Sequence, residues 1–161
     1  TKGLPNSMYT KNLTALSMQL GPVVEGAMAP EINLATPDGG TLALSSLRGK
    51  VVLIDFWASW CGPCRKENPA VKAIYEKYKN KGFEIYGVSV DNNGAKWKAA
   101  IAKDELTWKH VSELKGWTSS AGKAYGVSSI PATFLIDKEG RIVKSGFRSH
   151  QLEGLLMQLL D

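Results

Sequence analysis

A single α/β domain with a mixed β-sheet is what this sequence predicts, and three observations carry the prediction. All of Val51–Ala58 except Asp55 is apolar, in a run rich in β-branched residues that reads as a strand buried on both faces. After a break at Gly62 and Pro63 the period changes: Val71, Ile74, Tyr75 and Tyr78 fall at i, i+3, i+4, i+7, the mark of an amphipathic helix, with Gly82 as its stop. Downstream the order is strand, helix, strand, then a hairpin and a last helix, which places helices on both faces of one sheet.

Taken in order, residues 1–26 hold Pro5, Asn6, Gly21 and Pro22 around the stretch Leu13, Leu16, Leu20, and read as a linker or the tail of a preceding segment. The domain is expected to span 27–161. Ile32 and Leu34 alternate with polar neighbours, Pro37-Asp38-Gly39-Gly40 is a turn, and Leu42 and Leu44 follow, which is a β-hairpin ahead of the main fold. Residues 45–49 form a short turn into the central strand. In the long helix, Pro69 removes one backbone hydrogen bond and should kink it.

Residues 83–91, FEIYGVSVD, make a second buried strand ending in a turn with N-cap candidates. A helix over 95–103 carries Trp97 and Ile101 on one face, and a short strand covers 108–111. Ser119 or Ser120 caps a short helix that runs to Tyr125 and closes at Gly126. Ile130-Pro131 leads into a strand over 132–137, a turn at 138–140 and a partner strand over 141–145. Leu152, Leu155, Leu156, Leu159 and Leu160 form an apolar stripe, so the chain ends in a helix covering one sheet face.

Composition excludes several classes of function. The net charge of +5 arises from 20 basic and 15 acidic residues, with lysines dispersed along helical segments and no basic run interleaved with aromatics, so no nucleic-acid partner is expected. No stretch reaches the ~18 apolar residues of a membrane helix. The chain begins at Thr1 with no signal peptide at its front, which reads as a mature or truncated product.

The only two cysteines, Cys61 and Cys64, flank Gly62 and Pro63 at the strand-to-helix corner. Unpaired N–H groups and the positive end of the helix dipole favour a thiolate there, which makes Cys61 the reactive sulfur. Cys64, three residues on, can close a small disulfide ring, with Pro63 stiffening the loop. Three bland readings compete. A structural disulfide across so short a loop removes little unfolded-state entropy. A zinc site lacks ligands, since only His110 and His150 remain and they are not at ligand spacing, so no metal or other cofactor is expected. Two inert buried thiols do not suit a loop that Gly62 and Pro63 bring to the surface. Asp55 shares strand parity with Val51, Leu53 and Trp57, so its carboxyl points into apolar surroundings that raise its pKa, unless it escapes to solvent or caps a loop.

The segments WASWCGPCRKENP and GVSSIPATFLIDKEGRIV together resemble the thioredoxin superfamily, and in particular the TlpA/ResA-like thiol-disulfide oxidoreductases, over residues 27–161. The resemblance implies a thioredoxin fold, a three-layer α/β/α sandwich, with an N-terminal hairpin and a central insertion around 95–111. It implies a cis bond at Ile130-Pro131, beside the cysteines, with Ile130 offering backbone groups to a substrate chain. Trp60, Gly62 and Pro63 would complete the substrate-binding surface. Asp55 matches the buried acid of thioredoxins, where relatives of the TlpA type often carry Asn. Glu67 matches a glutamate that tunes thiol acidity in ResA-like proteins, although a helix glutamate is as readily a solvated one. Arg65 and Lys66 are expected to face solvent, and Trp117 to lie either over the site or in the core.

The implied activity is the reduction of protein disulfides. Cys61 attacks, a mixed disulfide forms, and Cys64 resolves it after losing its proton to Asp55 or Glu67. Disulfide-containing proteins and an upstream thiol donor, membrane-bound in some relatives, are the implied partners. The cell envelope or periplasm is the implied location, with a membrane anchor in the full-length protein and a link to cytochrome c biogenesis. A peroxiredoxin-like peroxidase and a non-catalytic peptide-binding module on the same fold are the alternatives. The first needs a peroxidatic cysteine set behind Pro and Thr, whereas Ala58-Ser59-Trp60 precede Cys61.

Overall fold

The computed structural model describes residues 24–160. The Leu13, Leu16, Leu20 stretch lies outside them. Seven strands form one mixed sheet: β1 (Asn33–Ala35), β2 (Thr41–Ala43), β3 (Val51–Trp57), β4 (Phe83–Ser89), β5 (Lys109–Ser112), β6 (Ala132–Ile136) and β7 (Ile142–Ser145), in the spatial order β2-β1-β5-β4-β3-β6-β7. Strands β3, β4 and β5 are parallel, whereas β6, β7, β1 and β2 join antiparallel. The crossovers that parallel pairing requires are α1 (Gly62–Tyr78) and α2 (Gly94–Lys103). Two further helices complete the layers, α3 (Ser120–Ala124) and α4 (Ser149–Leu159).

Every residue of β3 and β4 is buried, which is why both read as mainly apolar runs, interrupted by Asp55 in β3 and by Glu84 and Ser89 in β4. Alternate residues serve two cores. Val51, Leu53 and Trp57 face Val71 and Tyr75 of α1, Trp97 and Ala100 of α2, and Leu152 and Leu156 of α4. Val52, Ile54 and Phe56 face Ile32, Leu44, Leu47 and, around α3, Ala121 and Tyr125. Of the C-terminal leucine stripe, Leu152 and Leu156 are fully buried and the others half-buried. Asp55 therefore enters the α1/α4 side, as its parity requires.

The hairpin forms in the expected register, with Leu34 opposite Leu42. Residues 45–49, expected as a turn, belong in part to a 3-10 helix over Leu44–Leu47, which drives both leucines into the second core. The chain before residue 27 already joins the sheet edge, because Gly26 N donates to Ile142 O at 2.7 Å. Helix α1 continues across Pro69, Ser119 is the cap that starts α3, and Ile130-Pro131 is cis. No described helix is long and apolar enough to cross a membrane.

Candidate active site

Strand β3 ends at Trp57, and Ala58-Ser59-Trp60 carry the chain to Cys61, the N-cap of α1. Cys61 Sγ accepts a hydrogen bond from Cys64 N at 3.1 Å, the contact an anionic sulfur at a helix start would use. The two cysteines are joined as a disulfide with their α-carbons 5.3 Å apart, well inside the range for a relaxed bridge. Gly62 and Pro63 are exposed as expected, yet Cys61 and Cys64 are only 5% and 3% exposed. Exposure does not separate the sulfurs; position does. Cys61 caps the helix, whereas Cys64 lies within it and lines a small cavity.

That cavity, about 90 Å³, is bounded by Cys64, Asp55, Glu67, Pro131, Thr133 and the start of α4. It has room for water to bridge a carboxyl and a thiol. Asp55 is 8% exposed, and burial, with the Glu67 charge as a second cause, pushes its carboxyl up to about 7. It does not escape to solvent. Glu67 is half-buried and engaged: Oε1 accepts from Ser149 N and Oε2 from Arg148 Nη2, both at 3.1 Å. Burial raises Glu67, but these bonds outweigh it, so its pKa is lowered and it stays an anion at the first turn of α4. The two carboxyls thus diverge, Asp55 raised and Glu67 lowered from the ordinary carboxylate range.

The surface around the disulfide gathers the remaining residues singled out in the sequence. Pro131 borders the Cys64 cavity, and Ile130 is half-buried beside it. Trp60 is 55% exposed and Trp117 50%, with ring centroids 6.1 Å apart, so Trp117 belongs to the rim and not to the core. Arg65 departs from expectation. It forms a fork with Asp104, Nε to Oδ2 at 2.7 Å and Nη2 to Oδ1 at 2.8 Å, and donates to Ser59 O at 3.2 Å. A charge spent on Asp104 adds little to the field at Cys61. Lys66 is exposed, as expected.

Asp91, which the sequence places only in a turn, proves structural to the site. It is 1% exposed, and its carboxylate accepts from Ser59 N at 3.0 Å and from the hydroxyls of Ser59 and Ser89. With Arg65 on the carbonyl and Asp91 on the amide, Ser59 is gripped from both sides. An acid closing a buried strand was the one available signal; the Arg65 and Asp104 pairing, 39 residues apart, had none. Asp91→Ala should cost about 2–3 kcal/mol of stability, because it strands the buried Ser89 hydroxyl and the half-buried Ser59 donors. Urea unfolding checks this, and an unchanged midpoint would refute the clamp.

A CxxC disulfide at a strand-to-helix corner, flanked by a cis-proline and a buried acid on this sheet, defines a thiol-disulfide oxidoreductase of the thioredoxin fold. The comparisons narrow the class. A Redoxin family model matches residues 24–151. The thiol-disulfide oxidoreductase ResA of Bacillus cereus is 36% identical over 137 residues, covering 83% of this chain and 78% of the relative. ResA of Bacillus subtilis is 34% identical over 122 residues, covering 76% and 66%. The thioredoxin domain of a thiol-disulfide oxidoreductase from Bacteroides vulgatus superposes with a TM-score of 0.81 at 34% identity, over 86% of this chain and 99% of that one. The chain belongs to the Redoxin family, as a TlpA/ResA-like member of the thioredoxin superfamily.

Proposed function

We propose that this oxidoreductase works in the reducing direction, on disulfides of partner proteins held at the rim formed by Trp60, Gly62, Pro63, Ile130 and Pro131. In the dithiol form, the Cys61 thiolate attacks one sulfur of the partner disulfide. A Cys61–partner bond forms, the partner's S–S bond breaks, and the other partner sulfur leaves as thiolate. Cys64 then gives its proton to the Asp55 carboxylate, directly or through water, and attacks Cys61. The partner's second thiol is released, and two electrons have passed from the protein to the partner. Glu67 acts at one remove: burial, with the fixed Glu67 charge added to it, keeps Asp55 basic enough to take the proton near neutral pH.

The observation that carries this reading is the shared cavity of Cys64 and Asp55. A resolving thiol with its own base turns over quickly, as a reductase must. An upstream thiol donor, membrane-bound, would restore the dithiol, and the cell envelope is the location that fits the ResA relatives. Cytochrome c biogenesis is the corresponding role. The peroxidase reading is not favoured, since Ala58-Ser59-Trp60 stand before Cys61 where a peroxidatic cysteine needs Pro and Thr.

The direction is tested by equilibrating the protein with dithiothreitol and with glutathione. The Gly-Pro spacer and the acid behind it should place the couple nearer −270 mV than −120 mV. A value at the oxidising end would reverse the assignment and make the protein a donor of disulfides.

A further inference from the structure

Beside the disulfide, on the side of α2, the active-site loop and the helix enclose a groove of about 260 Å³. Ser59 and Trp60 form one wall, Ala99 and Ala100 the floor, and Lys96 and Lys103 stand at its two ends. Lys96, Ala99 and Lys103 fall at i, i+3, i+7 and are exposed along α2, while Ala100, at i+4, is buried with Trp97 in the core and meets the groove only at its base. The alanines keep the floor low and apolar. Trp60, held against Trp117, offers ring surface along the wall.

The groove's charge is one-sided. Arg65, which also lines it, is spent on Asp104, and that pairing leaves Asp104 equally engaged. Lys96 and Lys103 are exposed and have no carboxylate within 4 Å among the described residues. Seven residues of helix separate them by about 10 Å. An extended chain rises about 3.3 Å per residue and alternates its side chains between faces, so acidic side chains about four residues apart, on one face and about 13 Å from each other, would meet both lysines through their long stems.

We propose that this groove binds an acidic, extended segment of the protein whose disulfide Cys61 attacks, with Lys96 and Lys103 as its cationic contacts. The inference rests on the reductase reading and adds to it a chemical class of substrate. It makes the rim two-sided: the Ile130 loop holds the chain next to the scissile disulfide, and the α2 groove selects for charge in the flanking segment.

The test is single-turnover reduction of model disulfides by the dithiol protein, followed by tryptophan fluorescence. Two peptides with one internal disulfide each are compared, one carrying glutamates four residues apart in the flanking segment and the other lysines there. Neutral hydroxyethyl disulfide is the control. The acidic peptide should react about tenfold faster at low ionic strength, the gap closing in high salt. Lys96→Glu with Lys103→Glu should invert the preference, and Lys96→Gln with Lys103→Gln should erase it, with the neutral rate unchanged in both. Equal rates for the two peptides, or a preference that survives both variants, would overturn the groove assignment. Failure of the wild type to reduce the neutral disulfide would instead defeat the reductase reading, and this inference with it.

Discussion

Cys61→Ser should abolish disulfide exchange, by roughly a thousandfold or more, because no other sulfur sits at the helix mouth. Cys64→Ser should behave differently. Cys61 still attacks, but the resolving sulfur is gone, so the covalent adduct with the partner accumulates and is recovered intact on non-reducing gels from the native host. The adducts identify the substrates as well as the order of attack. If Cys64 were the attacking sulfur, the adducts would appear in the Cys61→Ser protein instead. Alkylation of the dithiol form gives an independent reading, since the Cys61 thiolate, favoured by the α1 N-terminus and the Cys64 N–H, should react well below the pH at which free cysteine does.

Asp55→Asn should raise stability at pH 8 while it slows resolution. Asp55 titrates at about 7 in the folded protein against 3.8 in the unfolded chain, so between those values the native state holds the extra proton. The stability that Asp55 contributes is therefore at its fullest below about pH 4, falls as pH rises toward 7, and levels off above that, while the carboxylates held below their usual range, such as Glu67 and Asp104, act with the opposite sign at acid pH. A shift of about three units corresponds to about 4 kcal/mol at most. The Asn variant should lose this slope and gain about 2–4 kcal/mol at pH 8, as measured by urea unfolding at several pH values. Its mixed disulfide should persist about a hundredfold longer. A variant with the parental pH slope would place Asp55 in water, and one with unchanged resolution would remove it from the proton path.

Much of this was legible in the residues. The buried strand, the CxxC corner and the helix period after it are local patterns, and parity alone put Asp55 on the α1 side of β3. The hairpins followed from turn chemistry at 37–40 and 138–140, and the leucine spacing located α4. What was not legible came from pairings distant in sequence. Glu67 could be read equally as solvated or catalytic until Ser149 and Arg148, about 80 residues on, were seen to hold it. Arg65 looked like a free surface charge and is half of a fork. Asp91 looked like turn chemistry and anchors the active-site loop.

By itself the sequence determined which segments are strand or helix and which sulfur stands at a helix start, because periodicity and backbone propensity are properties of neighbours along the chain. Only the tertiary structure decided which carboxyl is buried with a raised pKa, which is held as an anion, and which lysines beside the disulfide have no carboxylate within 4 Å among the described residues. Those depend on burial and on charges brought together by the sheet, and the energy of a charge is set by what surrounds it in space.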